Sequence, residues 1–131
     1  MTHTHLLAID QGTTSSRAIV FSLAGEPLVT QQKELHLFYP HNGWVEQDAT
    51  AIWDDTLWAV RECLQAYPDV AGFGITNQRE TTVLWDRRTG KPLYNAIVWQ
   101  DRRTAAYCQS LKQQGVEPKV SQKTGLLLDP Y

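Results

Sequence analysis

The chain has 131 residues, a length that suits one domain with a single buried core. Hydrophobic residues make up 42% of the chain and charged residues 20%, and 12 Lys and Arg against 14 Asp and Glu give a formal net charge of −2. This balance argues against nucleic acid as a partner, because binding a polyanion requires a basic surface.

Three strands joined by tight turns are predicted at the start of the chain, at residues 6–9, 17–21 and 28–37. The first is a short apolar run that ends in Asp10, as in a strand buried on both faces. The third is more polar and is therefore expected near an edge of the sheet. Together the three strands predict an antiparallel meander.

A loop at residues 39–47 precedes Asp48, which is a suitable N-cap for a helix. The predicted helix ends at Pro68. Its inward face is expected to carry the apolar side chains that recur at helical spacing, namely Trp53, Leu57, Val60, Leu64 and Tyr67. Residues 70–76 form another apolar run, with two glycines, and predict a central strand.

Residues 81–86 and 92–99 predict a hairpin around the turn at 87–91. A second helix is expected from an N-cap at Asp101 through Gln114, closed by Gly115. A meander followed by alternating helix and strand indicates a mixed α/β sheet.

The N-terminus, the apolar stretches and the cysteines indicate the cellular compartment of the protein. The N-terminus lacks a basic start followed by an apolar run, and no stretch approaches the roughly 18 apolar residues of a membrane span. Cys63 and Cys108 are at unrelated positions and are expected to be reduced. We therefore expect a cytoplasmic protein without a membrane span.

The string Asp-Gln-Gly-Thr-Thr-Ser-Ser-Arg at residues 10–17 has the parts that phosphoryl transfer requires. Asp10, at the end of a buried strand, can anchor Mg²⁺. Hydroxyl groups, backbone N–H donors and a cation for phosphate binding are offered by Thr13, Thr14, Ser15 and Arg17. An ordinary turn remains an alternative, because its residue types are also common in turns.

The same string resembles the phosphate-binding hairpin of the FGGY carbohydrate kinases, in the form that glycerol kinases carry. Four more strings, at residues 43–48, 74–82, 95–100 and 124–131, are similar to the same kinases and follow in the same order. The resemblance implies a ribonuclease-H-like sheet of the actin and hexokinase type. It also implies that residues 1–131 are the N-terminal part of the first of two domains.

The resemblance further implies ATP-dependent phosphorylation of glycerol to sn-glycerol 3-phosphate, with ATP and Mg²⁺ as cofactors. By position in the matching strings, Arg79, Glu80 and Tyr131 should bind glycerol hydroxyls, and Trp99 should lie against the carbon backbone. These residue types suit a polyol, because fixed donors and acceptors pair its hydroxyls and an aromatic face covers its C–H groups. Such kinases are often homodimers or homotetramers.

The general base of this family is an aspartate in a Gly-Asp-Gln string well downstream, and the 131 residues contain no such string. We therefore expect no catalytic base within this chain, and the chain alone should be inactive and poorly stable.

Three alternatives remain open from the sequence. One is an FGGY kinase for another polyol or sugar, such as erythritol, xylulose or ribulose. Another is a nuclease of the ribonuclease-H-like type, with Asp10, Glu46 and Asp48 as metal ligands. The third is a module that binds a nucleotide without catalysis.

Overall fold

A computed structural model describes residues 4–131. Six strands and three helices follow one another in the described residues. They are β1 (His5–Gln11), β2 (Ser15–Ser22), β3 (Pro27–Glu34), β4 (Glu46–Gln47), α1 (Ala49–Ala66), β5 (Val70–Asn77), β6 (Ala96–Ile97), α2 (Ala105–Gln113) and α3 (Glu117–Thr124).

The main sheet has the order β3-β2-β1-β5. The first three strands form the predicted antiparallel meander, and β3 lies at one edge as predicted. β5 runs parallel to β1, with Ile9 opposite Ile75. The prediction that residues 70–76 form a central strand is wrong for the described chain. β1 occupies the inner position, and Phe73 and Ile75 of β5 are 66% and 62% exposed.

Helix α1 begins where the sequence predicts. The Asp48 carboxylate accepts hydrogen bonds from the backbone N–H groups of Thr50 at 2.8 Å and Ala51 at 3.3 Å. These bonds satisfy two of the donors that a helix N-terminus leaves free. The helix ends at Ala66, just before Pro68.

The inward face of α1 differs in part from the predicted face. Its buried residues are Thr56, Ala59 and Cys63, while Trp53 is 57% exposed. Val60 and Tyr67 of the predicted face are partly buried and pack against the core, so the prediction is confirmed for these two residues. The core joins two of these helix residues to side chains from the sheet and consists of Leu7, Ile9, Ala18, Val20, Ala59 and Cys63.

The predicted hairpin after β5 is present, although little of it is regular strand. Thr82 pairs with Ile97 and Trp85 with Pro92, on either side of a turn. Only β6 is regular, and it pairs with β4 in a small second sheet that the sequence analysis did not predict. A pair of two-residue strands has too few residues to produce an alternating pattern.

The prediction that Asp101 caps the second helix is wrong. Helix α2 begins at Ala105, after Thr104. The Asp101 carboxylate does accept from the backbone N–H of Arg103 at 2.8 Å, but it also binds the Val45 N–H and the Arg103 guanidinium, and only a turn follows it directly. Gly115 follows the helix with φ of 73°, as expected for a glycine that ends a helix. Helix α3 was not predicted.

Cys63 and Cys108 are both buried and unbonded, in agreement with the prediction that they are reduced. Between residues 4 and 131, no helix has the length and apolar character that crossing a membrane requires.

Candidate functional site

A cavity of about 710 Å³ opens where β1 and β5 end side by side. Because the two strands are parallel, their carboxyl ends meet at one edge of the sheet, where ligands commonly bind in α/β proteins. The cavity is lined by Asp10, Gly12, Thr13, Ile75, Thr76, Asn77, Gln78, Arg79, Glu80 and Trp99. The structure thus brings together five of the predicted site residues, namely Asp10, Thr13, Arg79, Glu80 and Trp99.

The turn between β1 and β2 is closed by a hydrogen bond of 2.9 Å from the Gly12 N–H to the Ser15 carbonyl. A Cβ atom on Gly12 would lie 3.1 Å from that carbonyl oxygen, so a larger residue would distort the turn. Within residues 4–131, no protein acceptor binds the N–H groups of Thr13 and Thr14. The turn can therefore offer backbone donors to an anion.

Asp10 and Arg17 are directly opposite each other on β1 and β2. The Arg17 Nη2 donates to the Asp10 carboxylate at 2.8 Å, and both side chains remain partly exposed. The ion pair places one cation and one anion at the mouth of the turn.

Three of the four predicted phosphate ligands, Thr14, Ser15 and Arg17, do not line the cavity. Ser15 is buried at the start of β2, and Thr14 is exposed while its carbonyl accepts from the Leu35 N–H at 2.8 Å. Of the hydroxyl side chains in the turn, that of Thr13 is the one on the cavity.

Glu80 has a backbone φ of 59°, in the left-handed region that favours glycine. Besides the main cavity, it lines a neighbouring cavity of about 180 Å³ whose wall includes Tyr131. The Tyr131 hydroxyl donates to the Leu127 carbonyl at 2.9 Å. The structure therefore groups Tyr131 with Glu80 and separates it from the cavity lined by Arg79 and Trp99.

Trp99 is fixed to the turn by its indole. The Trp99 Nε1 donates to the Thr13 Oγ1 at 2.9 Å, which links the predicted polyol wall to the predicted phosphate turn. The ring stays partly exposed, so an apolar surface remains available to a ligand.

Sequence reasoning missed two glutamines at this site, Gln78 in the cavity wall and Gln47 behind it. Gln47 is 1% exposed, and its Nε2 donates to the Thr13 carbonyl at 2.6 Å. Gln78 Nε2 donates to Gln47 Oε1 at 2.8 Å. Both belong to strings that carry the family resemblance, but residue 47 was placed in a loop, where burial of an amide is not expected.

A buried ionic cluster supports the segment that carries Trp99. Arg103 donates to Glu46 at 2.7 Å and to Asp101 at 2.8 Å, and its guanidinium lies 3.8 Å from the centre of the Trp44 ring. Burial by itself would raise the pKa of Glu46, but hydrogen bonds from Arg103 and other neighbours outweigh it and lower that pKa. Burial likewise would raise the pKa of Asp101, but hydrogen bonds from Arg103 and the Val45 N–H outweigh it and lower that pKa.

The ionic cluster of Glu46, Asp101 and Arg103 argues against the nuclease alternative. Glu46 is paired with Arg103 and Asp48 caps α1, so neither joins Asp10 at the cavity. Residues 4–131 contain no group of three or more His, Cys, Asp or Glu arranged to hold a metal. These three carboxylates do not form the paired-metal arrangement that such a nuclease requires.

The donors at the cavity fit a magnesium ion shared with a nucleotide. Mg²⁺ commonly takes one or two protein carboxylates and completes its shell with phosphate oxygens and water. Asp10 supplies one carboxylate beside the N–H donors of the turn. This set would hold the ion together with a phosphate chain.

Comparisons with known proteins agree with this picture. Residues 5–131 match the model of the N-terminal domain of the FGGY family of carbohydrate kinases. Glycerol kinases of Nitrosomonas eutropha and Rhodospirillum rubrum are 62% and 60% identical over 130 residues, 96% of this chain. The chain spans only 26% of the length of these relatives.

Two solved structures have the same fold. A crystal structure of Plasmodium falciparum glycerol kinase with ADP superposes with a TM-score of 0.91 at 31% identity, over 97% of this chain and 26% of that one. A ligand-bound xylulose kinase from Lactobacillus acidophilus gives a TM-score of 0.89 at 21% identity, over 96% of this chain and 26% of that one. The predicted ribonuclease-H-like fold of the actin and hexokinase type is thereby confirmed.

Proposed function

Because the chain belongs to the FGGY family of carbohydrate kinases, we propose that the full-length protein transfers the γ-phosphoryl group of ATP to glycerol. The products are sn-glycerol 3-phosphate and ADP. One observation supports the proposal: the turn after β1 and the segment after β5 line the same cavity, so the proposed phosphate site and the proposed polyol site would face each other. The glycerol kinases at 62% and 60% identity support glycerol over other acceptors.

The phosphate side of the site is proposed to consist of the turn and its ion pair. The N–H groups of Thr13 and Thr14 and the Thr13 hydroxyl donate to phosphate oxygens, with Ser15 and Arg17 as the further predicted ligands. Asp10 would hold Mg²⁺, which neutralises charge on the transferring phosphoryl group when bound. Arg17 would keep the Asp10 carboxylate oriented through their 2.8 Å ion pair.

The polyol side consists of Arg79, Glu80 and Trp99. Arg79 donates to glycerol hydroxyls and Glu80 accepts from them, while the indole of Trp99 covers the C–H surface and excludes water. Tyr131 is proposed to reach a further hydroxyl through the small cavity that it shares with Glu80. Substrates that lack these hydroxyls leave buried polar groups unpaired and are rejected.

During transfer, the glycerol oxygen forms a bond to the γ-phosphorus while the bond from that phosphorus to the β–γ bridging oxygen breaks. The proton of the attacking hydroxyl passes to a general base. We propose that this base is an aspartate outside residues 1–131, and that these residues are the N-terminal part of the first of two domains. A cytoplasmic homodimer or homotetramer is the proposed state of the full-length protein.

The test is a substrate panel with the full-length protein, in which ADP release is followed with glycerol, erythritol, xylulose and ribulose. We expect kcat/KM for glycerol to exceed that for each other acceptor by roughly 100-fold or more, because a longer acceptor has to place additional carbon and hydroxyl groups in a site formed for a three-carbon polyol. A higher value for another acceptor would assign the protein to that substrate. Nucleotide binding without turnover of any acceptor would favour a non-catalytic module.

A further inference from the structure

Five residues close a ring of hydrogen bonds at the cavity wall, and three of them, Thr13, Gln78 and Trp99, line the cavity themselves. Gln47 Nε2 donates to the Thr13 carbonyl at 2.6 Å, and Gln78 Nε2 donates to Gln47 Oε1 at 2.8 Å. Thr81 Oγ1 donates to Gln78 Oε1 at 2.9 Å and accepts from the Trp99 N–H at 3.3 Å. The Trp99 Nε1 completes the ring by donating to the Thr13 Oγ1 at 2.9 Å.

The ring joins four separate parts of the chain, which are the turn after β1, strand β4, the segment after β5 and the segment after β6. Its most buried member is Gln47, and the pairing of β4 with β6 fixes the backbone of that residue. The Gln78 N–H also donates to the Gln11 carbonyl at 2.7 Å, so the ring is attached to β1. Only Gln47 of the ring is buried, and loss of its bonds would leave a buried amide unpaired, so the ring has few alternative arrangements around this residue.

We propose that Gln47 and Gln78 are positioning residues that set the phosphate turn at a fixed distance and angle from the polyol site. The inference rests on the proposed function. Thr13 belongs to the proposed phosphate site and Trp99 to the proposed polyol site, while Gln78 directly precedes Arg79 in the chain. Gln47 is buried behind the cavity wall and Gln78 lines the cavity beside Arg79, and each is proposed to act by orienting its hydrogen-bonded neighbours.

Phosphoryl transfer is sensitive to such positioning. A displacement of about 1 Å between reacting groups can lower the rate roughly 100-fold while each substrate still binds. If the ring holds the turn against the polyol site, opening it should lower kcat and leave both KM values nearly unchanged. Loss of an ordinary structural contact would instead lower the melting temperature and leave kcat unaffected.

The experiment uses the full-length protein with Gln47→Met, Gln78→Met and the double variant. Methionine has a similar size and cannot take part in the ring. The control is Gln109→Met on the exposed surface of α2, where the glutamine side chain makes no hydrogen bond in the described residues. Steady-state kcat and KM for glycerol and ATP are measured together with the melting temperature.

Each single ring variant is expected to lower kcat by roughly 10- to 100-fold, with less than about a threefold change in either KM. The double variant should resemble the slower single variant, because one break already opens the ring. If Gln47→Met does not fold, Gln78→Met decides, since residue 78 is only half-buried.

A kcat within about twofold of the parent in a folded ring variant would overturn the inference, as would losses that multiply in the double variant. These results would leave the proposed function intact, because the parent would still phosphorylate glycerol. A parent that phosphorylates no glycerol would overturn both proposals.

Discussion

Glu80 combines an unusual backbone with a central position. Its left-handed φ of 59° places it between the main cavity and the smaller cavity of Tyr131. A residue with a β-carbon adopts this conformation at a cost of roughly 1–2 kcal/mol. Strained residues of this kind cluster at functional sites, where the surrounding structure maintains them. The conformation is therefore consistent with a carboxylate that must face the polyol.

Arg79 is the residue whose proposed role is easiest to isolate. In the full-length protein, Arg79→Ala should weaken the interaction with glycerol by roughly 1.5–3 kcal/mol, the usual contribution of a charged hydrogen bond. The measurement is the apparent glycerol affinity from steady-state kinetics. Arg87→Ala, in the exposed turn of the hairpin, is the matched control. Unchanged affinity in Arg79→Ala would remove this residue from the polyol site.

The Glu46–Arg103 pair predicts a pH dependence of stability. Since the folded protein lowers the pKa of Glu46 below its ordinary value of 4.5, this carboxylate stabilises the fold above that pH. The stabilisation is lost as the pH falls through the lowered pKa, because the unfolded state then binds the proton more readily. Melting temperatures of the full-length protein should therefore fall more steeply in acid than those of Glu46→Gln. Parallel curves for the two proteins would contradict the prediction.

The sequence predicted five of the ten residues that line the cavity. Asp10 and Arg79 lie just after apolar runs, and strand ends of this kind converge on one edge of a sheet. It did not predict the buried position of Gln47, because a glutamine in a loop is ordinarily exposed. The contact of Tyr131 with the small cavity depends on the fold of a segment whose helix was not predicted. In both cases tertiary contacts decide the position of the side chain.

At the scale of the elements, the sequence predicts the start of a helix well where one capping residue determines it. Asp48 begins α1 because its carboxylate binds two free N–H groups. Asp101 accepts the corresponding bond from the Arg103 backbone N–H, but its carboxylate also binds the distant Val45 N–H and the Arg103 guanidinium, and only a turn follows it directly. A capping residue is thus predictable only when no distant partner competes for it.

The cap at Asp48 leads to a stability prediction. Asp48→Ala should destabilise the full-length protein by about 0.5–2 kcal/mol, since two N–H groups of the first turn lose their acceptor. Asp48→Ser should recover most of this loss, because serine also caps helices well. Chemical denaturation of both variants tests the prediction. Equal stability of Asp48→Ala and the parent would show that water replaces the carboxylate without cost.

Strand β5 was expected at the centre of the sheet and lies at its edge. Its apolar run predicts burial, and the sequence cannot reveal which part of a longer protein covers it. Phe73 and Ile75 remain exposed in the described residues. We expect the rest of the full-length protein to cover this edge, since the chain spans only 26% of the length of its relatives.

For the whole molecule, the proposed reaction requires residues from two parts of a longer protein. Residues 1–131 would supply the phosphate turn and the polyol contacts, and the remainder would supply the general base and the second domain. An isolated piece with an exposed strand edge is also expected to be poorly stable. The kinase activity of residues 1–131 can therefore be compared directly with that of the full-length protein.

Glycerol-dependent ADP release, measured side by side on the full-length protein and on residues 1–131, tests this account most directly. We predict release by the full-length protein and none above background by the 131-residue chain, because the proposed base lies outside it. Release by the short chain would contradict the proposed division of the site. The absence of glycerol-dependent release by the full-length protein would contradict the proposed function itself.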